Sequence, residues 1–152
     1  MGIKPAFSKA DLDARMRKFS NAIEMAIIKR MQYLGESCVK HAREYAQSDG
    51  FIDRTGKLRS SIGYILFKNG IPFYESFPGA NVEGVSEGKR LALEVGGKQK
   101  TGISIVVVAG MNYASYVEDY HGKNVLKKTE LKARAELPEM LRKLKINISK
   151  SL

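Results

Sequence analysis

The chain has little of what reactive sites are usually built from. Among 152 residues there is one cysteine, Cys38, and two histidines, His41 and His121. A single thiol excludes an internal disulfide framework and suits a reducing compartment. No ligand spacing links these three residues, so no metal site is expected. His41 is expected on the solvent side of a long helix and His121 in a turn. No run of 18 or more apolar residues occurs, so no transmembrane helix and no membrane partner are expected. The opening "MGIKPAFSKADLDARM" has no apolar core of a signal peptide, and Ala6 departs from the myristoylation pattern.

Nucleotide and nucleophile motifs are missing as well. In "SIVVVAGMNYASYVEDYHG", residues 104–122, a branched apolar run breaks at Ala109-Gly110. A phosphate-binding loop needs several glycines followed by Lys and Ser/Thr, and here one glycine precedes Met-Asn-Tyr. A nucleophile elbow needs glycines flanking the serine, but Ser115 has Tyr113 and Val117 there. Ser115, Asp119 and His121 share one short turn, which leaves no base arranged behind a nucleophile. The glutamates at 75, 83, 87 and 94 form no defined pair. The expectation is a protein without catalytic residues or cofactor.

What is abundant is positive charge. The net charge is +10, with a pI near 9.7. Residues 121–152 hold nine Lys/Arg against three acids, whereas residues 51–120 hold eight against seven. Such a balance favours an anionic partner, either nucleic acid or a protein with an acidic face. A solvated lysine-rich helix face explains the same excess.

The periodicity predicts one long helix over 8–47, opened by Ser8 with Asp11. Leu12, Met16, Phe19, Ile23, Ile27, Met31, Leu34, Cys38, Ala42 and Tyr45 form its stripe, at a step of roughly 3.7 residues. At 1.5 Å per residue it is longer than a domain of this size is wide, so it either projects or bends near Gly35. A projecting helix with Met25, Ile28 and Val39 beside its stripe calls for a second subunit. Asp49-Gly50 ends it. Thr55-Gly56 makes a turn, and Lys57–Ser61 one helical turn. Strands at Ile62–Lys68 and Ile71–Phe77 flank Asn69-Gly70, the pair a type I′ hairpin requires.

Pro78–Gly84 reads as loop. Residues 86–95 read better as a short helix than as a strand, with Ser86 as N-cap, Leu91 facing Val95, and Gly96 as C′. The unbroken apolar run Ile103–Ala109 predicts a strand buried on both faces, hence central. A short helix over 112–120 would place Tyr113 and Tyr116 on one face. They either seal the sheet edge or anchor an interface. Glu118-Asp119 at that helix's C-terminus opposes the helix dipole and suits a basic partner, or else a solvated turn. Val125-Leu126 is expected to be extended. Thr129 is expected to cap a helix over 129–145 carrying Leu131, Ala135, Leu141 and Leu144, kinked or restarted at Pro138, with a frayed end. The fold expected is a single α+β domain spanning 1–152. A long N-terminal helix packs on a small, mainly antiparallel sheet in a core over 53–126, with short helices and a Pro-kinked C-terminal helix.

Two segments together resemble a known family. "DRTGKLRSSI" (53–62) and "VVVAGMNYASYVEDYHG" (106–122) resemble, in order and spacing, two signatures of the small tail-completion and head–tail joining proteins of tailed bacteriophages. With the flanking helices, the resemblance covers roughly residues 8–145. It implies a virion structural protein without catalytic residues or cofactor, made in the bacterial host cytoplasm. It also implies assembly into rings, commonly of six, at the tail end or neck beside other tail proteins. This chain departs after Gly122, where "KNVLKKTELKAR" replaces a Pro-Phe-containing strand, and its 78–100 region is longer. Leu58 and Ile62 are expected to pack inward, with Arg54, Lys57 and Arg59 outward. Arginine's fork suits a neighbouring copy's Glu118, which makes Arg54, Lys57, Arg59, Tyr113, Tyr116, Glu118 and Asp119 the candidate subunit interface. A basic lumen would admit DNA without reading its sequence. The alternative is a small basic nucleic-acid-binding protein, although no helix-turn-helix spacing, zinc module or aromatic stacking motif supports it.

Overall fold

The structure is a computed structural model that describes residues 2–48, 54–111 and 125–151. Helix α1 runs unbroken from Lys9 to Ser48. Its start is the expected one. The Asp11 amide donates to Ser8 Oγ and the Ser8 amide to an Asp11 carboxylate oxygen, each at 3.1 Å. The Ser8 hydroxyl, donating at 2.7 Å, and then the Ser8 amide hold the Asp11 carboxyl below its ordinary pKa. Then come α2 (Lys57–Ser60), β1 (Ile62–Lys68), β2 (Ile71–Ser76), α3 (Val82–Gly96), β3 (Ile103–Ala109) and α4 (Val125–Ser151). No helix among the described residues is long and apolar enough to cross a membrane.

The sheet is antiparallel, in the order β2-β1-β3. Asn69 and Gly70, at φ 53° and 81°, close the β1–β2 hairpin as their residue types require. The central strand is β1, not β3. The apolar run Ile103–Ala109 lies at the edge of the described sheet and reads as central only because helices cover both of its faces. Ile62, Tyr64 and Leu66 face one core with Met31, Val39 and Ala42 of α1, while Ile65 and Phe67 face a second core with Ala92 of α3. The sheet is therefore sandwiched, with α1 and α4 on one side and α3 on the other.

Helix α1 lies antiparallel to β1. The Tyr64 hydroxyl sits 3.0 Å from Glu36 Oε1 and 3.3 Å from the Gln32 carbonyl, whereas Lys68 pairs with Glu24 at 2.5 Å. Burial, and then the Glu36 carboxylate, hold the Tyr64 phenol far above its usual pKa. Gly35 lies against the Tyr64 ring, where a Cβ would come within 2.5 Å. Lys68 marks the hairpin end of the sheet, so the helix N-terminal to Glu24 extends beyond it. Met31, Leu34, Cys38 and Ala42 of the stripe are buried, but Leu12 and Met16 are exposed, Met16 by 59%. Val39 needs no second subunit, because it is buried in the chain's own core. Of its two expected neighbours, Ile28 is half-buried and Met25 exposed.

Several local expectations are corrected. Helix α3 begins at Val82, four residues before Ser86, and Asn81 caps it by accepting from the Gly84 amide at 3.0 Å. Gly96 is a buried residue within that helix, not its C′, and Val95 is exposed while Leu91 is half-buried. Helix α4 starts at Val125, continues through Pro138 and reaches Ser151, so Val125-Leu126 is not extended, Thr129 is not a cap and the helix does not restart at Pro138. Thr129 Oγ1 instead lies buried 3.1 Å from His41 Nδ1, which places His41 at the α1–α4 contact, not in solvent. Of the four apolar residues named for α4, Leu144 is buried, whereas Ala135 is exposed, as are Leu131 (62%) and Leu141. The inner face is made by Leu126, Thr129, Leu137 and Leu144.

The sandwich predicts unequal costs for similar truncations. Leu66→Ala, in the central strand, should lower unfolding free energy by about 2–5 kcal/mol. Ile71→Ala, at an exposed position on the edge strand, should change it by no more than about 0.5 kcal/mol. Urea denaturation followed by circular dichroism measures both.

Candidate assembly interface at the α2 corner

The motif "RTGKLRSSI" folds into a tight corner that the rest of the domain encloses. Gly56 opens α2 at φ 69°, a left-handed conformation that a side chain would strain. Thr55 Oγ1 accepts from the Lys57 amide at 3.4 Å, the local turn contact its type provides. Leu58 is fully buried and anchors the turn to the α1–β1 core. Ser60 and Ser61 are buried too, and both hydroxyls are used. Ser60 Oγ accepts from the Asn81 amide at 3.0 Å. Ser61 Oγ donates to the Leu58 carbonyl at 2.7 Å and accepts from the Gly110 amide at 3.0 Å.

That last bond joins the two sequence motifs, 49 residues apart. It explains Gly110, whose φ is not positive. Its role is close approach, since a Cβ there would lie 2.4 Å from Gly88 Cα. Gly84 and Gly88 of α3 are held equally tightly. A Cβ on Gly84 would stand 2.3 Å from the Lys57 carbonyl oxygen, and one on Gly88 would stand 2.4 Å from that of Ser61. The repeat Gly84, Gly88, Ala92, Gly96 is thus a smooth helix face laid directly on the corner and β1. Reading 78–84 as loop concealed it, although the four-residue spacing of small residues was the available signal.

The candidate side chains are placed as follows. Arg54 is exposed at the head of the corner. Lys57 is half-buried and paired with Glu83 Oε2 at 2.5 Å, so its charge is already matched within the chain. Arg59 is half-buried, and its carbonyl accepts from Arg43 Nη1 at 2.5 Å. Burial and the neighbouring Arg59 hold the Arg43 guanidinium below its ordinary pKa. Tyr113, Tyr116, Glu118 and Asp119 lie outside the described residues, as do His121 and Asp49-Gly50. Gly110, at the end of β3, lies beside Ser61, so the described part of the second motif meets the first at this corner.

Among the described residues, no group of three or more His, Cys, Asp or Glu could hold a metal ion. The Cys38 thiol is buried and raised in pKa, first by desolvation and then by Glu136, with Lys132 partly offsetting. A neutral, enclosed thiol is a poor nucleophile.

Two outcomes follow. Gly88→Ala should destabilise the fold by about 1–3 kcal/mol, because the Ser61 carbonyl oxygen at 2.4 Å and the Phe77 ring at 2.8 Å block the added methyl; chemical denaturation checks this. Cys38 should resist a thiol reagent in the native protein and react fully in denaturant, which absorbance labelling reads directly.

Comparison with known proteins yields one family. The model described as "Bacteriophage HK97-gp10, putative tail-component" matches residues 10–119. Neither a search of curated proteins nor one of solved structures returns a match. The match spans nearly all of α1, the corner, the three described strands and α3, and stops before α4. It covers more than two thirds of the chain, and it holds the first motif whole and the second up to residue 119, with Ser61 and Gly110, which tie them together, both inside it. The chain belongs to the HK97-gp10-like family of bacteriophage tail components.

Proposed function

We propose that this protein is a non-catalytic virion subunit that closes into a ring at the tail end or the neck, six copies being the expected number. Family membership supplies the class. The observation that carries self-association is surface area. The chain exposes 10222 Å², about a third more than the roughly 7,700 Å² of a compact monomer of this mass. The surplus includes large apolar side chains, among them Phe7 just before α1, Leu12 and Met16 on the projecting part of α1, and Ile71, Phe73 and Tyr74 on β2. A protein that stays alone rarely leaves such surfaces bare.

In the proposed ring, one face of each subunit meets a different face of the next. Arg54 and Arg59 at the corner, with Lys57 partly engaged by Glu83, would face Glu118 and Asp119 of a neighbour, and Tyr113 and Tyr116 would anchor the contact. The basic helix α4, which holds eight Lys/Arg against three acids, suits non-specific contact with DNA passing through the ring. Other tail or neck proteins would stack on its faces.

Light scattering of the purified protein, alone and with tail tube protein, should give a mass several times the 16.9 kDa of one chain. A monomer under both conditions would overturn the proposal. Arg54→Glu should weaken association at unchanged melting temperature, and Glu118→Lys in the same chain should restore it.

A further inference from the structure

Two uncovered surfaces of this chain complement each other. The first is the arm of α1 together with the residues before it, 2–22. It carries Phe7, Leu12 and Met16 exposed. It also carries Lys4, Lys9, Arg15, Arg17 and Lys18 against Asp11 and Asp13, a net +3. None of these five cations is ion-paired among the described residues. Helix α1 is continuous from Lys9 and tied to the hairpin end of the sheet by the Lys68–Glu24 pair, so the turns carrying Leu12 and Met16 run on past that end with both side chains exposed.

The second surface is the flank made by β2 and α3. Lys89 pairs with Glu75 at 2.6 Å, and Gly70 lies against the Gly97 carbonyl. By that register, Leu93, one turn beyond Lys89, falls beside Phe73. Ile71, Phe73 and Leu93 are all exposed, Phe73 by 42%. Around them, Glu75, Glu87 and Glu94 stand against Lys89 and Arg90, a net −1 in a chain of +10, while Glu83 is engaged at the corner by Lys57. The edge of β2 is ill-suited to strand addition. Pro72 has no amide hydrogen to donate, and the ladder slips between Leu66 and Phe67, leaving Phe73 without a partner of its own. An apolar strip with a blunted edge and an acidic border fits a basic amphipathic helix.

We infer that the α1 arm of one subunit docks along the β2–α3 flank of the next copy. The inference rests on the ring reading and names the surfaces that build the ring. Charge selects this flank over the other exposed apolar stripe, Leu131, Ala135, Pro138 and Leu141 on the back of α4. Residues 125–151 carry a net +5 and repel the arm. Because arm and flank are different parts of the subunit, each copy offers one of each, as a closed cycle requires.

The test uses the full chain. Subunits carrying Met16→Cys are mixed with subunits carrying Phe73→Cys, treated with a short bismaleimide and run on a denaturing gel; native Cys38 is buried and stays out of the reaction. A cross-linked pair is expected, together with at least tenfold weaker association of Leu12→Asp/Met16→Asp at unchanged melting temperature, and weaker assembly in high salt. Oligomers that persist in the double variant and give no cross-link would overturn the inference and leave the ring standing. Cross-linking of Met16→Cys to Leu131→Cys instead would move the arm to α4 and overturn it equally. A wild-type chain that stays monomeric with tail tube protein present would overturn the ring reading, and this inference with it.

Discussion

The architecture depends on one close backbone approach. Gly88 of α3 touches Gly110 at the end of β3 and the Ser61 carbonyl at the start of β1, with no side chain between them. At that spacing, the Gly110 amide reaches the Ser61 hydroxyl, and the Ser61 hydroxyl reaches the Leu58 carbonyl. The buried hydroxyls of Ser60 and Ser61 thereby find partners, which a looser packing would deny them. The corner can then hold a charged, exposed head at Arg54 while its underside is as tightly packed as the core.

From this point the layers follow. A helix with a small-residue face can lie low over β1, so β1 is buried on that side. The long apolar stripe of α1 buries its other side. A strand enclosed twice contributes to two cores, and Tyr64 and Phe67 from the same strand serve opposite ones. The stripe of α1 is longer than the sheet it covers, so its surplus extends past the hairpin. The domain therefore has two unlike poles, a corner with basic side chains and an arm with basic and apolar ones. Such polarity is what head-to-tail contact between identical copies uses.

Local features were legible where a residue type has one use. Asn69-Gly70 has the backbone freedom of a type I′ turn. Ser8 with Asp11 marks a helix start within a residue of its true place. The paired motifs marked the family, and the α2 corner shows the physical tie behind their joint occurrence. Reading was poorest where glycine serves packing instead of turning. Gly84, Gly88 and Gly96 lower helix propensity, so α3 looked shorter than it is. The apolar run of β3 looked central because hydrophobicity reports how much cover a strand has, not which neighbours it has. In α4 two apolar stripes compete, and nothing local distinguishes the one that meets α1 from the one that faces outward.

Periodicity, turn chemistry and charge, then, were enough to establish the class of fold, the long helix, the hairpin and the absence of familiar reactive motifs. These are properties of short segments, set by sterics and by the spacing of apolar residues along the chain. Strand order, the inner face of α4, the partner of His41 and the pairing of Lys57 with Glu83 were decided by packing across the chain. Each depends on which surfaces meet at close range, and that is settled only when glycine faces let α3, β1 and β3 touch at a single corner.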